Sequence, residues 1–131
     1  MGLYKLSSAM MSKWVARIIA GQTVYGPVSY RDKFIYSQLH AEKELRLDFD
    51  VTEQPPKQYF LPARETLLTC DDSQEWTPVI DTAPFVLFGV HPYDLAAISQ
   101  LDQIFQKDHY DVHYMQRRKN ATIVACDVYN R

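Results

Sequence analysis

The sequence predicts a mixed α/β domain, with one leading helix, a β-rich first half, and then a strand–helix–strand unit that contains a parallel pair. Two observations carry this prediction. The first half holds short β-type runs broken by Gly and Pro, whereas the second half holds two continuous apolar runs on either side of a helical stripe. With 131 residues, 47% of them apolar, we predict a single folded domain over residues 1–131.

The leading helix is predicted near residues 8–20. Ser7 or Ser8 can cap its first turn and Gly21 can end it. A short strand is expected before it at Tyr4–Leu6. The apolar residues that recur at helical spacing are Met11, Trp14, Val15 and Ile18.

After this helix the pattern favours β structure. Residues 23–28 and 34–36 are rich in β-branched and aromatic side chains, and a turn is expected around residues 31–33. Three further elements are expected before residue 80: a half-buried strand at residues 45–50, one helical turn at residues 62–68 and a polar loop at residues 70–77.

The second half gives the clearer prediction. Residues 84–90 form an unbroken apolar run, typical of a strand covered on both faces. Pro92 suits the first position of a helix, a shorter helix is expected near residues 113–119, and residues 121–128 predict a second buried strand. A strand–helix–strand order favours parallel pairing. One shared core is expected to contain Phe85, Leu87, Ile98 and Leu101.

Composition excludes several classes of protein. The formal net charge of −2 offers no excess of cations for nucleic acid. The longest apolar runs fall short of the roughly 20 residues that a membrane span needs, and no signal peptide is recognised. Two cysteines, Cys70 and Cys126, are too few for a secreted disulfide scaffold, so we expect a reducing compartment, the cytoplasm.

The candidate ligand site is the strand-to-helix turn at Gly89–Asp94. Turns of this kind bind anions and nucleotides in α/β folds, which makes Gly89, His91, Tyr93 and Asp94 candidate ligand-binding residues. The alternative is a tight turn that only shapes the fold, because the turn has one Gly and Pro92 has no N–H to donate.

Other polar groups give weaker hypotheses. His109 and His113 have the spacing of a zinc-binding pair, but two exposed histidines are the alternative, and no metal site is predicted. Arg117 and Arg118 could bind an acidic partner or form a solvated helix end. No catalytic residues are predicted, because no nucleophile can be matched with a base.

Three segments, in order along the chain, resemble one known family. They are residues 24–34 with Tyr25-Gly26-Pro27 and Asp32-Lys33-Phe34, residues 55–65, and residues 84–95 with the run Phe88-Gly89-Val90-His91-Pro92-Tyr93-Asp94. The chain resembles the N-terminal region of the iron–sulfur β subunits of cytoplasmic sulfhydrogenases (hydrogenase/sulfur reductases), and of the related iron–sulfur subunit of anaerobic sulfite reductase. The resemblance covers roughly residues 23–128.

This resemblance implies the following expectations. Family members are about two to three times longer, and their two [4Fe–4S] clusters are held by cysteine runs that come after this region. A chain with two cysteines cannot hold them, so we expect no cofactor here and an N-terminal fragment of a longer subunit, or a stand-alone relative. The family commonly has Cys where this chain has Tyr93, and often another where it has Val128, with Cys126 two residues earlier.

The function implied is an accessory docking domain of an electron-transfer subunit, with no catalytic activity of its own. It would position the cluster-bearing part and contact the other subunits of a hydrogenase-type or sulfite-reductase-type complex. Tyr93, Arg117 and Arg118 are the residues expected to contact a partner. The alternative function is a small-molecule-binding domain that uses the Gly89–Asp94 turn for an anion or a nucleotide.

Overall fold

A computed structural model describes residues 1–128 of the chain and has a four-stranded sheet at its centre. In chain order the helices and strands are α1 (Ser8–Gly21), β1 (Val24–Tyr30), β2 (Lys33–Gln38), β3 (Leu68–Cys70), β4 (Trp76–Pro78), β5 (Phe85–Val90), α2 (Pro92–Gln106), α3 (Val112–Asn120) and β6 (Ala121–Ala125). Two short 3₁₀ helices lie between β2 and β3, at Glu42–Glu44 and Pro56–Tyr59.

The central sheet has the strand order β2-β1-β5-β6. Strands β1 and β2 form an antiparallel hairpin, whereas β5 pairs in parallel with both β1 and β6. The predicted mixed α/β class, the leading helix and the parallel pair of the second half are therefore confirmed. Strands β3 and β4 form a separate two-stranded hairpin.

Each face of the sheet is covered by its own core. On one face lies the helix-pair core, formed by Tyr36, Phe60, Leu87, Val90, Ile98 and Tyr114. On the other face lies the α1 core, formed by Val15, Val24, Leu39, Val86 and Phe88. Because β5 contributes to both cores, its unbroken apolar run is explained by burial on two faces. Phe85 and Leu101 are partly buried and pack against this helix-pair core, which contains Leu87 and Ile98, so the predicted shared core is present.

The start of the chain differs from the prediction in one respect. The Ser7 hydroxyl accepts a hydrogen bond from the backbone N–H of Met10 at 3.3 Å, so Ser7 caps α1. The strand predicted at Tyr4–Leu6 is wrong, because these residues are exposed and no neighbouring strand pairs with them. A short apolar run becomes a strand only where a sheet edge is available to it.

Residues 45–50 correct a second prediction. Leu45 and Leu47 pack against the α1 core and Phe49 is buried, so the inferred alternation of buried side chains is present. The segment is nevertheless not a strand. Its link to β1 includes one backbone hydrogen bond, from the N–H of Arg46 to the carbonyl of Pro27 at 2.9 Å.

The segment between the 3₁₀ helices and β5 also differs from expectation. The helical turn predicted at residues 62–68 is wrong, since the residues after Tyr59 are irregular up to β3. The polar loop predicted at residues 70–77 contains paired strand residues at both ends. Within residues 1–128, no helix combines the length and the hydrophobicity needed to cross a membrane.

Candidate functional site

The candidate site lies where β5 and β6 end and α2 begins. Gly89 is an extra residue in β5, because Phe88 pairs with Val124 while Val90 pairs with the next residue, Ala125. This bulge reverses the alternation of β5, so Val90 joins Leu87 in the helix-pair core instead of following Phe88 to the opposite face.

Glycine is required at this bulge for two reasons. Gly89 has φ +76°, a left-handed conformation that other residues adopt only with strain. A Cβ at this position would also lie 3.0 Å from Cδ of Pro27 and 3.1 Å from Cδ2 of Leu47. The carbonyl of Gly89 accepts a buried hydrogen bond of 2.9 Å from the hydroxyl of Tyr36. The bulge is thus fixed from both faces of the sheet.

His91, which precedes α2, is fully buried. Its ring stacks on that of Phe49, with centroids 4.1 Å apart and planes inclined by 7°. Its Nδ1 lies 3.1 Å from the hydroxyl oxygen of Tyr93, and that hydroxyl donates its proton to the carbonyl of Asp50 at 2.8 Å.

These two hydrogen bonds determine the tautomer of His91. A tyrosine hydroxyl has one proton to donate, and the carbonyl of Asp50 can only accept it. The oxygen of Tyr93 must therefore accept from Nδ1–H of His91, which leaves a lone pair on Nε2 if the ring is neutral. That Nε2 is buried and has no hydrogen-bond partner among residues 1–128. A buried acceptor without a donor is uncommon in folded proteins.

Burial shifts the pKa values of Tyr36, Tyr93, Asp94 and Cys126 at this turn. Burial raises the pKa of the Asp94 carboxyl above its ordinary value, while His91 and Lys57 oppose the shift. Burial also raises the pKa of the Cys126 thiol, with Asp127 adding to the effect. Burial is the largest cause of the raised pKa values of Tyr36 and Tyr93, and the nearby Asp94 and Cys126 raise both values further.

The chemical consequence concerns the Cys126 thiol and the hydroxyls of Tyr36 and Tyr93, whose raised pKa values keep them protonated at neutral pH. A thiol with a raised pKa stays protonated at neutral pH and is a weak nucleophile. The carbonyl of Gly89 is used by Tyr36, and the hydroxyl of Tyr93, which is bonded to Nδ1 of His91, joins the start of α2 to the carbonyl of Asp50. The binding of an anion or nucleotide by Gly89, His91, Tyr93 and Asp94 stays a prediction.

The two arginines predicted as partner contacts form internal ion pairs. The Arg117 side chain is only 10% exposed, pairs with Glu65 and donates to the carbonyl of Phe60 at 3.5 Å. Arg118 is 30% exposed, and its Nε lies 3.0 Å from Oδ2 of Asp102 in α2. These pairs connect α3 to its neighbours. Tyr93 is more accessible, at 49% exposed, and contact of all three residues with a partner stays a prediction.

The histidine pair considered from the sequence is not brought together on one helix. His113 lies on α3 and its Nε2 lies 3.1 Å from the carbonyl of Leu67, whereas His109 precedes Asp111, the residue that caps α3. Within residues 1–128, no three His, Cys, Asp or Glu side chains form a group that could hold a metal ion. The described residues therefore do not fit a [4Fe–4S] cluster, which usually takes four cysteine ligands.

Sequence reasoning missed Tyr36, Phe49 and Asp50 as parts of this site. Each is far along the chain from residues 89–94, so no local pattern links them to the turn. The burial of Phe49 was visible in the alternation of residues 45–50, but its stacking partner was not.

Comparison with known proteins gives one similar curated protein. The chain is 35% identical, over 121 residues, to a protein named "Sulfhydrogenase 2 subunit beta" from Pyrococcus furiosus. The aligned part is 92% of this chain but 36% of that protein, so the chain spans about a third of its length. No protein-family model matches the chain, and no solved structure matches it. The resemblance to the β subunits of sulfhydrogenases, first seen in three short segments, is thereby confirmed over nearly the whole chain.

Proposed function

We propose that this chain is a docking region of an electron-transfer subunit in a hydrogenase-type complex. The observation that carries the proposal is the 35% identity with a sulfhydrogenase β subunit over 92% of the chain. In this role the chain binds neighbouring subunits and positions a cluster-bearing part of the same subunit. The [4Fe–4S] clusters belong to that other part, because the residues described here do not fit them.

The structure supports a scaffolding role in two ways. The central sheet is covered on both faces, and the candidate turn is held by hydrogen bonds within the chain. Burial raises the pKa values of the Cys126 thiol and of the Tyr36 and Tyr93 hydroxyls, so these three groups stay protonated at neutral pH, which suits a structural joint better than nucleophilic attack.

Co-expression with the other subunits of the hydrogenase-type complex from its own source tests this proposal. We expect the chain to co-purify with them in a fixed ratio, which native mass spectrometry measures. The docking role is refuted if the chain does not co-purify and the other subunits form the same complex with and without it.

A second candidate function is supported by the unpartnered Nε2 of His91. An acceptor nitrogen does not attract a simple anion, but it can accept from an N–H or O–H group of a nucleotide. Because His91 is fully buried, the nucleotide has to displace side chains at the turn to reach Nε2. Thermal unfolding of the chain with a panel of nucleotides tests this, since a ligand that binds the folded state raises the melting temperature. A rise that is lost in His91→Phe supports nucleotide binding, and no rise with any nucleotide excludes it at the concentrations used.

A further inference from the structure

The hairpin formed by β3 and β4, with the residues at its base, makes an arm that we define as residues 67–79. Within it Leu68 pairs with Pro78, Thr69 with Thr77 and Cys70 with Trp76. The N–H of Val79 donates to the carbonyl of Leu67 at 2.9 Å, which extends the pairing to the base of the arm. All six strand residues are exposed, and neither strand pairs with the central sheet.

One face of this arm is apolar. Residues that are directly opposite each other in an antiparallel pair share a face, and successive residues alternate between the two faces. Leu68, Pro78, Cys70 and Trp76 therefore share one face, while Thr69 and Thr77 lie on the other. Leu68 is 50% exposed and Trp76 is 68% exposed, so the apolar face is directed toward solvent.

The arm buries little of its own apolar surface. A two-stranded hairpin alone is marginal in water, because it buries little apolar area. The arm is nevertheless ordered at both ends. At its tip the carboxylate of Asp71 accepts hydrogen bonds from the N–H groups of Ser73 and Glu75, at 2.9 and 3.2 Å. At its base the carbonyl of Leu67 lies 3.1 Å from Nε2 of His113. Such pre-ordering lowers the entropic cost of binding a partner.

The charge of the arm indicates the chemistry of that partner. Asp71, Asp72 and Glu75 surround the tip, and residues 67–79 contain no Lys or Arg. The carboxylate of Asp71 is held by the tip itself, and a hydrogen bond from Ser73 lowers its pKa, so it stays charged at neutral pH. An apolar face next to an acidic tip is complementary to an apolar cleft that is bordered by Lys and Arg.

We propose that the apolar face of the arm, Leu68, Cys70, Trp76 and Pro78, docks into an apolar cleft bordered by Lys and Arg on another subunit of the complex. This inference rests on the proposed docking function and assigns it to a surface. Trp76 is the central contact, since tryptophan dominates many interfaces when it is buried by a partner. Asp72 and Glu75 meet the cationic border.

The experiment measures binding of the whole chain to the remaining subunits, purified together without it. Trp76→Ala and Leu68→Ser should each weaken binding at least about tenfold, because both remove apolar contact from the interface. The matched control is the double variant Thr69→Ala, Thr77→Ala on the opposite face, which should bind within about twofold of the wild type. Asp72→Asn with Glu75→Gln should reduce the salt dependence of binding.

Fluorescence provides an independent measurement of the same contact. The chain has two tryptophans, so Trp14→Phe leaves Trp76 as its single tryptophan. Emission from Trp76 should shift to shorter wavelength when the partner subunits are added, since the indole moves from water into an apolar cleft. Thermal unfolding of the variants at Leu68, Thr69, Trp76 and Thr77 should match that of the wild type, because these side chains are exposed.

The outcomes separate this inference from the function on which it rests. Binding that is unchanged by Trp76→Ala overturns the inference and leaves the docking function standing. Failure of the wild-type chain to bind the subunits refutes both. A shift in Trp76 emission that depends on the concentration of the isolated chain would mean that a second copy covers the arm, and this also overturns the inference.

Discussion

The bulge at Gly89 makes a quantitative prediction about the stability of the sheet. Replacing Gly89 by alanine keeps the left-handed backbone only at a strain of about 1–2 kcal/mol. The new Cβ would lie 3.0 Å from Cδ of Pro27 and 3.1 Å from Cδ2 of Leu47, and overpacking of this kind costs about 1–3 kcal/mol. We therefore expect Gly89→Ala to lower the free energy of unfolding by about 2–5 kcal/mol.

Two other glycines provide matched controls. A Cβ on Gly26 would lie 3.0 and 3.1 Å from the terminal methyl groups of Leu39 and Leu45, without a left-handed backbone, so Gly26→Ala should cost about 1–3 kcal/mol. A Cβ on Gly21 meets nothing within 4 Å and this residue is helical, so Gly21→Ala should be neutral or stabilise by up to about 1 kcal/mol.

Urea unfolding followed by circular dichroism measures all three free energies, provided that the slope with denaturant stays constant. We expect the free energy of unfolding to be highest for Gly21→Ala, lower for Gly26→Ala and lowest for Gly89→Ala. If the free energies of unfolding of Gly89→Ala and Gly21→Ala differ by less than about 0.5 kcal/mol, then neither the backbone strain nor the contact with Pro27 destabilises the variant as inferred.

Four further predictions concern buried polar groups and cofactor content. Tyr36→Phe leaves a buried carbonyl without its donor, and urea unfolding should show a loss of about 1–3 kcal/mol. Glu65→Ala leaves the buried guanidinium of Arg117 unpaired and should cost about 3 kcal/mol, whereas Glu53→Ala in an exposed pair should cost less than about 1 kcal/mol. Burial raises the pKa of Tyr59 from 10.0 to about 12, so stability should fall as pH rises through that interval, and Tyr59→Phe should reduce the fall seen in urea titrations. Finally, iron and sulfide analysis after anaerobic reconstitution should find no stoichiometric cluster in the chain, and near four irons per chain would contradict this.

The pH prediction follows from the direction of the shift. Tyr59 is harder to ionise in the folded chain than in the unfolded chain, so ionisation favours unfolding. The stability contributed by the neutral hydroxyl is complete below pH 10 and is lost between pH 10 and about 12. A free energy of unfolding that stays constant across this interval would show that Tyr59 ionises equally easily in both states.

Elements whose signal is local and repeated could be predicted from the amino-acid order alone. The helical spacing from Met11 to Ile18 predicts α1, and the apolar run of residues 84–90 predicts β5 together with its burial on two faces. The resemblance to sulfhydrogenase β subunits is equally readable, because it depends on residue identity in order along the chain. Such features need no knowledge of which distant segments meet.

Only the folded chain shows which distant segments form hydrogen bonds with each other and which bury each other's side chains. Residues 45–50 bury alternate side chains as a strand would, yet they do not form one. A solvated helix end was one interpretation of Arg117, but the fold places Glu65 beside it and buries the pair. The sequence predicts a polar loop where the exposed arm lies, because strands of three residues are too short for alternation to be recognised. The physical reason is common to all three: pairing and burial are set by neighbours in space, which a local pattern of residues does not contain.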